Sequence, residues 1–263
     1  MVSRGEAIGR VTFLGTGTSH GVPMIGCSCA ICTSSDPRDR RWRPSIAIEF
    51  TRGDTILVDT APDLREQALR FGLHRVDAIL FTHPHADHLL GLDDIRRYNS
   101  LQRATIPCYA DPETITEIRR VFAYAFNPRQ TGGGIPRLAL FPLGGPCSLA
   151  RHTIVPVPIL HGRLPIYGYR VGSFAYLTDC SAIPEASWPL LEGVRVLAID
   201  ALRDKPHPTH FTVAQALEVI ERVCPERALL THICHDLGHE QTMARLPAGV
   251  ELAYDGLVVE IHE

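Results

Sequence analysis

The segment Thr82-His83-Pro84-His85-Ala86-Asp87-His88 crowds three imidazoles and a carboxylate into six residues. It follows the apolar run 78–81, which reads as a buried strand, so the ligand-rich turn starts where a strand ends. A solvated loop gains nothing from such a concentration of donors. A metal centre does, because imidazole and carboxylate together suit Zn, Mn or Fe. The alternation His83-x-His85 sets two rings on one side, and Asp87 and His88 open the next turn.

Outward from this turn, short apolar runs alternate with helical patterns, as in a layered α/β fold. Residues 11–14, 45–50, 56–59 and 107–110 read as further strands in the first half, and 153–160, 167–171, 174–178, 196–199, 228–231 and 258–261 in the second. Residues 63–71 read as a helix with Asp63 and Glu66 as a capping box. Residues 112–126 read as another, capped by Asp111 with Pro112 in its first position. The clearest helix is 212–223, where Thr212 and Gln215 form a capping box and Val213, Leu217, Ile220 and Cys224 follow the 3.6 period. Strands in two groups with accompanying helices imply two mixed sheets face to face with helices outside, in one domain over residues 1–263.

The 263 residues are 45% hydrophobic and 21% charged, which excludes wholesale disorder. A net charge of −3 argues against holding nucleic acid by bulk charge. The chain shows neither a signal-type apolar core nor a membrane-length window, so a cytoplasmic setting is expected, with the eight cysteines reduced or metal-bound. Three of them form Cys27-Ser28-Cys29-Ala30-Ile31-Cys32, too tight for easy disulfides but suited to one tetrahedral zinc. His20, Cys234, His235 and His239 are candidates for its fourth ligand.

The His83–His88 cluster resembles the signature of the metallo-β-lactamase-fold hydrolases, four-layer αββα proteins, and the likeness extends over essentially the whole chain. It implies that His83, His85 and His161 hold one metal, that Asp87, His88 and His232 hold a second, and that Asp179 bridges them. Each later residue follows an apolar run: Leu160-His161, Thr178-Asp179 and Thr231-His232. Asp59, after Ile56-Leu57-Val58, is expected to orient ligands from behind rather than to bind metal.

The run Leu14-Gly15-Thr16-Gly17-Thr18-Ser19-His20-Gly21-Val22-Pro23, with the cysteines after it, is similar to a narrower subgroup, the phosphoribosyl 1,2-cyclic phosphate phosphodiesterases of the carbon–phosphorus lyase pathway. That likeness implies a structural zinc on Cys27, Cys29, Cys32 and His235, and a general acid at His210, with His207 the competing imidazole. It also implies a homodimer. The expected activity is hydrolysis of a small phosphodiester, cyclic ones included, by a hydroxide bridging two Mn, Zn or Fe ions, with Asp87 and Asp179 in the catalytic centre and His210 protonating the leaving oxygen. The expected partner is that small substrate, with no stable nucleic-acid or membrane association. Rival readings are a 3′-tRNA-processing endoribonuclease, a lactone or thioester hydrolase, and a non-catalytic metal-binding module. Asp93 and Asp94 offer helix capping or support behind the metal loop, the run Arg38–Arg43 a packed loop or a phosphate contact, and Gly132-Gly133-Gly134 between Arg129 and Arg137 a surface loop or a lid.

Overall fold

A computed structural model describes residues 6–127 and 134–263. Its strands, in chain order, are β1 (Ala7–Gly15), β2 (Ser45–Phe50), β3 (Thr55–Val58), β4 (Ala78–Leu80), β5 (Ile106–Ala110), β6 (Leu138–Pro142), β7 (Cys147–Leu149), β8 (His152–His161), β9 (Leu164–Val171), β10 (Phe174–Leu177), β11 (Val196–Asp200), β12 (Arg227–Thr231), β13 (Val250–Leu252) and β14 (Val258–His262). The helices are α1 (Leu64–Phe71), α2 (Ala86–Leu89), α3 (Ile95–Gln102), α4 (Pro112–Val121), α5 (Ala123–Phe126), α6 (Val213–Val223) and α7 (His239–Met243).

The strands form two seven-stranded sheets, ordered β14-β1-β2-β3-β4-β5-β6 and β13-β12-β11-β10-β9-β8-β7. Each is mixed. β3 through β6 run parallel in the first, as do β10 through β13 in the second, and the remaining pairs are antiparallel.

Period-two alternation decides which side chains meet. Ile56, Val58 and Leu80 point inward and share a core with Tyr169, Tyr176 and Ala198 of the second sheet. Leu57 and Ile79 point outward and pack beneath α1, α3 and α4 through Leu64, Ile95 and Ile118. Leu197, Ile199 and Leu230 do the same beneath α6 through Val213, Ala216 and Val219. The four layers are therefore helix, sheet, sheet, helix, the αββα arrangement expected from the sequence.

Local expectations fared unevenly. Asp111 accepts from the backbone N–H of Glu113 and Thr114, and Thr212 with Gln215 closes both halves of a capping box. Asp63 makes no cap; its carboxylate is taken by Arg43, through backbone N–H and guanidinium, each at 2.9 Å. The helix expected over 112–126 breaks at Phe122 into α4 and α5. On α6 the buried face is Val213, Ala216 and Val219, and Cys224 lies exposed beyond the helix in a left-handed turn. Gly132, Gly133 and Arg129 lie outside the described residues, while Arg137 is held by Asn99.

Parallel strands bring their carboxyl ends to one edge of each sheet, where open α/β sheets bind ligands. Three of these ends turn through a left-handed backbone at non-glycine residues: Asp59 (φ 62°), Asp179 (φ 57°) and His232 (φ 59°). Such positions are strained for residues with a Cβ and cluster at functional sites. Gly91 serves the same edge, because a Cβ there would stand 2.0 Å from the carbonyl oxygen of Ala61. Its absence lets the chain after α2 lie against the turn that follows Asp59.

Candidate metal centre

The turn Phe81-Thr82-His83 leaves β4 with the Thr82 N–H and hydroxyl and the His83 Nδ1 all hydrogen-bonded. Asp59, wholly buried, accepts from the backbone N–H of Thr82 at 2.8 Å through one oxygen. Its other oxygen accepts from the Thr82 hydroxyl at 2.8 Å and from His88 Nδ1 at 2.7 Å. The Thr82 hydroxyl, committed to Asp59, accepts in turn from His83 Nδ1 at 3.0 Å. Both rings are thereby fixed as tautomers whose Nε2 carries the free lone pair. His83 Nε2 is buried without a hydrogen-bond partner among the described residues, while His88 Nε2 faces carboxylate oxygens of Asp179 at 3.1 Å and Asp87 at 3.3 Å. Orphaned buried acceptors are costly unless something fills them, and a cation does.

His161, at the end of β8, is oriented likewise: its Nδ1 donates to the carbonyls of Thr209 (2.9 Å) and Asp179 (3.0 Å). Nitrogen and oxygen atoms converge as His83/His85/His161 and Asp87/His88/Asp179/His232, with an overlapping third group, His161/Asp179/His210, each within 4.8 Å. Asp179 lies between the first two, one oxygen 4.0 Å from His83 Nε2 and the other 3.1 Å from His88 Nε2. Burial pushes the His83 and His161 imidazoles down, and that of His232 to about 3, the neutral state a metal ligand needs. At His88 burial is outweighed by Asp179, Asp87 and Asp59, which raise it well above its ordinary value. The Asp179 carboxyl sits well below its usual range, because His232 and His88 outweigh its desolvation. His85 is exposed at the mouth.

His210 stands beside both sets, its ring centroid 4.7 Å from that of His161 and 4.6 Å from that of His232. Its Nδ1 donates to Asp200 Oδ2 at 2.7 Å. Asp200 ends β11, is wholly buried, and accepts also from the backbone N–H of Cys180 at 3.1 Å. Burial drives the Asp200 carboxyl up to about 7. Burial also lowers His210, but its hydrogen bond to Asp200 and the charge of that group win, and its pKa is raised. His207 has no carboxylate partner among the described residues; its Nδ1 meets the Thr209 hydroxyl at 3.1 Å. Asp200 and Thr82 were not singled out from the sequence. The available signal for Asp200 was an apolar strand closed by Asp, the pattern shared by Val58-Asp59.

The second cluster lies next door along the chain. His235 Nδ1 is 3.3, 3.4 and 3.6 Å from the sulfurs of Cys27, Cys29 and Cys32. All eight cysteines are free, and these four donor atoms fall within 4.8 Å of one another. Of the alternatives for the fourth ligand, Cys234 turns its sulfur to the backbone N–H of Asp236, and His20 and His239 lie outside the cluster. A buried clamp holds the two halves together. Arg41, 1% exposed, donates to the carbonyls of Cys234 (3.0 Å) and Leu237 (2.7 Å) and to Asp39 (3.1 Å), while Asp39 accepts from the backbone N–H of His239. Asp93 and Asp94 give neither a cap nor support to the metal loop: Asp93 bonds Tyr124 and Arg96, and Asp94 makes no side-chain cap.

A four-layer αββα fold with two ligand sets at its sheet edge defines a metal-dependent hydrolase. The chain belongs to the β-lactamase superfamily, whose domain it matches over residues 54–233. It is similar to a crystal structure of a diphosphatase from the PhnP family, at 46% identity and a TM-score of 0.90, covering 97% of this chain and 98% of that one. It is 38% identical over 258 residues to an octanoyltransferase of Porphyromonas gingivalis, covering 97% of this chain and 52% of that protein; the chain thus spans about half that relative's length. A Zn(2+)-bound PqqB from Methylobacterium extorquens shares the fold, at 16% identity and a TM-score of 0.78 over 96% of this chain and all of that one. No helix among the described residues is long and apolar enough to cross a membrane.

Proposed function

We propose that the protein is a phosphodiesterase acting on a small phosphodiester, cyclic ones such as phosphoribosyl 1,2-cyclic phosphate included. The observation that carries this reading is His210, held by buried Asp200 beside both ligand sets without being needed by either. His83, His85 and His161 would hold one divalent ion, and Asp87, His88 and His232 a second, with Asp179 shared; Zn, Mn and Fe all suit these donors. Bound there, the ions supply an acidified water as nucleophile and neutralise charge on the phosphate oxygens. Cys27, Cys29, Cys32 and His235 would hold a structural zinc, since a set of four leaves no open position for substrate.

The chain's own groups do the rest. Asp59 and Thr82 lock the rings of His83 and His88, so the centre needs little reorganisation when substrate arrives. Asp200 keeps the Nδ1 proton of His210 in place and favours its imidazolium, leaving Nε2–H as the donor to the departing alkoxide. A lactone or thioester hydrolase has less use for such a donor. The P. gingivalis relative extends far beyond this chain, so its named acyl transfer is not a guide to activity here. We expect a small substrate, a cytoplasmic setting and a homodimer.

Leaving-group dependence tests the acid. With an alkyl phosphodiester, His210→Ala should lower kcat about 10²–10⁴-fold. With a nitrophenyl diester, whose leaving group hardly needs a proton, the loss should be much smaller. Equal losses on the two substrates would remove His210 from that role.

A further inference from the structure

Arg38 and Arg40 to Arg43, of which Arg41 alone serves the metal-bearing turn, line a cleft of about 540 Å³ with His20 and Arg70. Three of its arginines are already paired: Arg38 with Asp36, Arg41 with Asp39, and Arg43 with Asp63. The exposed side chains of Arg40, Arg70 and His20 have no carboxylate partner among the described residues. Arg70 instead stands over the Trp42 ring, 5.5 Å from its centroid. In a chain of net charge −3, two uncompensated guanidiniums facing one hollow are not a by-product of general basicity.

Trp42 itself is fixed. Its backbone N–H donates to Asp255 Oδ2 at 2.7 Å, the next residue is anchored on Asp63, and the Phe71 ring packs edge-on at 5.9 Å. Asp255 also lines the cleft, but Thr16 occupies its other oxygen through backbone N–H and hydroxyl, so it presents little free acceptor to a ligand. A half-buried indole with the Arg70 guanidinium over its ring and Arg40 lining the same cleft matches the two parts of a nucleotide. Aromatic faces stack bases, and guanidinium pairs bidentately with phosphate.

We infer that this cleft is a binding site for a mononucleotide, with the base against Trp42 and the phosphate on Arg40 and Arg70. The inference does not rest on the reading of the metal centre, and it concerns a separate set of residues.

The test uses the full metal-loaded chain carrying Trp188→Phe, which leaves Trp42 as its sole tryptophan. Titration with AMP, a monoester that a phosphodiesterase does not consume, should quench Trp42 fluorescence saturably, with the same dissociation constant by calorimetry. Arg40→Ala/Arg70→Ala should weaken binding at least tenfold, as should replacing AMP by adenosine. Both arginines are exposed, so an unchanged melting temperature will show that the double variant is folded. Absence of saturable quenching, an unchanged dissociation constant in the double variant, or equal binding of adenosine would overturn the assignment. So would tighter binding of a single-stranded oligonucleotide, which would make the cleft a nucleic-acid surface. The readout is binding at Trp42, so failure to hydrolyse phosphodiesters would leave this result standing, and the reverse also holds.

Discussion

His210 and Asp200 set the pH behaviour of the proposed reaction. An acid catalyst works only while protonated, so the rate falls as pH rises through the His210 pKa. Asp200 raises that pKa above the ordinary imidazole value near 6.5, placing the alkaline limb above it. In Asp200→Asn the nearest countercharge and its hydrogen bond are gone, leaving burial opposed only by Asp179 and Asp87, so the limb should move to lower pH. We expect kcat at neutral pH to fall roughly 10–100-fold, the usual cost of losing an orienting partner. A pH–rate profile with an unmoved limb would separate Asp200 from the acid. At this scale the ligand-type residues were legible because their spacing is improbable without a metal: His83, His85, Asp87 and His88 stand within six positions. Asp200 was not. A single Asp after an apolar strand looks like a turn former until sheet order sets β11 between β10 and β12. Thr82 was hidden for a similar reason, since its role rests on a contact with Asp59, 23 residues away.

Between elements, the decisive piece is the Arg41 clamp. It joins the segment after the cysteine cluster to the turn that carries His235, and His232 lies three residues earlier in that same turn. Removing one member of a buried ion pair costs about 3–5 kcal/mol because the other charge is stranded. Arg41→Met should therefore lower the melting temperature by on the order of 10 °C. Arg41→Met/Asp39→Asn should recover part of the loss, as coupled neighbours do. Thermal melts of these two variants and of Asp39→Asn check this, and a double variant as unstable as the sum of its singles would count against coupling. The sequence showed Arg41 only as one arginine in a basic run. What buries it is packing against residues some 190 positions away, which local pattern does not encode. The same limit explains the elements left unread. β7 and β13 have three residues each, and β6 sits at a sheet edge with an exposed Phe141, so buried alternation does not mark it. Asp63 misled because Asp three residues before Glu fits a capping box, yet Arg43 reaches its carboxylate first. Long amphipathic α6 was readable, apart from the exact side it buries.

Across the whole molecule, two donor sets share one sheet edge but differ in chemistry. The thiolate-rich set is closed, and its metal should contribute to folding as well as resist mild chelation. The mixed His/Asp sets are open at exposed His85 and should lose their ions first. Metal analysis of purified protein should give up to three ions per chain. After mild chelation one should remain, accompanied by loss of activity and a largely retained melting transition. Cys27→Ser should abolish that resistant ion, and its persistence would contradict the structural-zinc assignment. The most direct test of the central claim is a substrate panel for the metal-loaded protein, containing ribosyl and nucleoside cyclic phosphates, bis-nitrophenyl phosphate, lactones and thioesters. The account predicts turnover of the phosphodiesters, abolished in Asp179→Ala. Turnover of lactones or thioesters with none of any phosphodiester would contradict it.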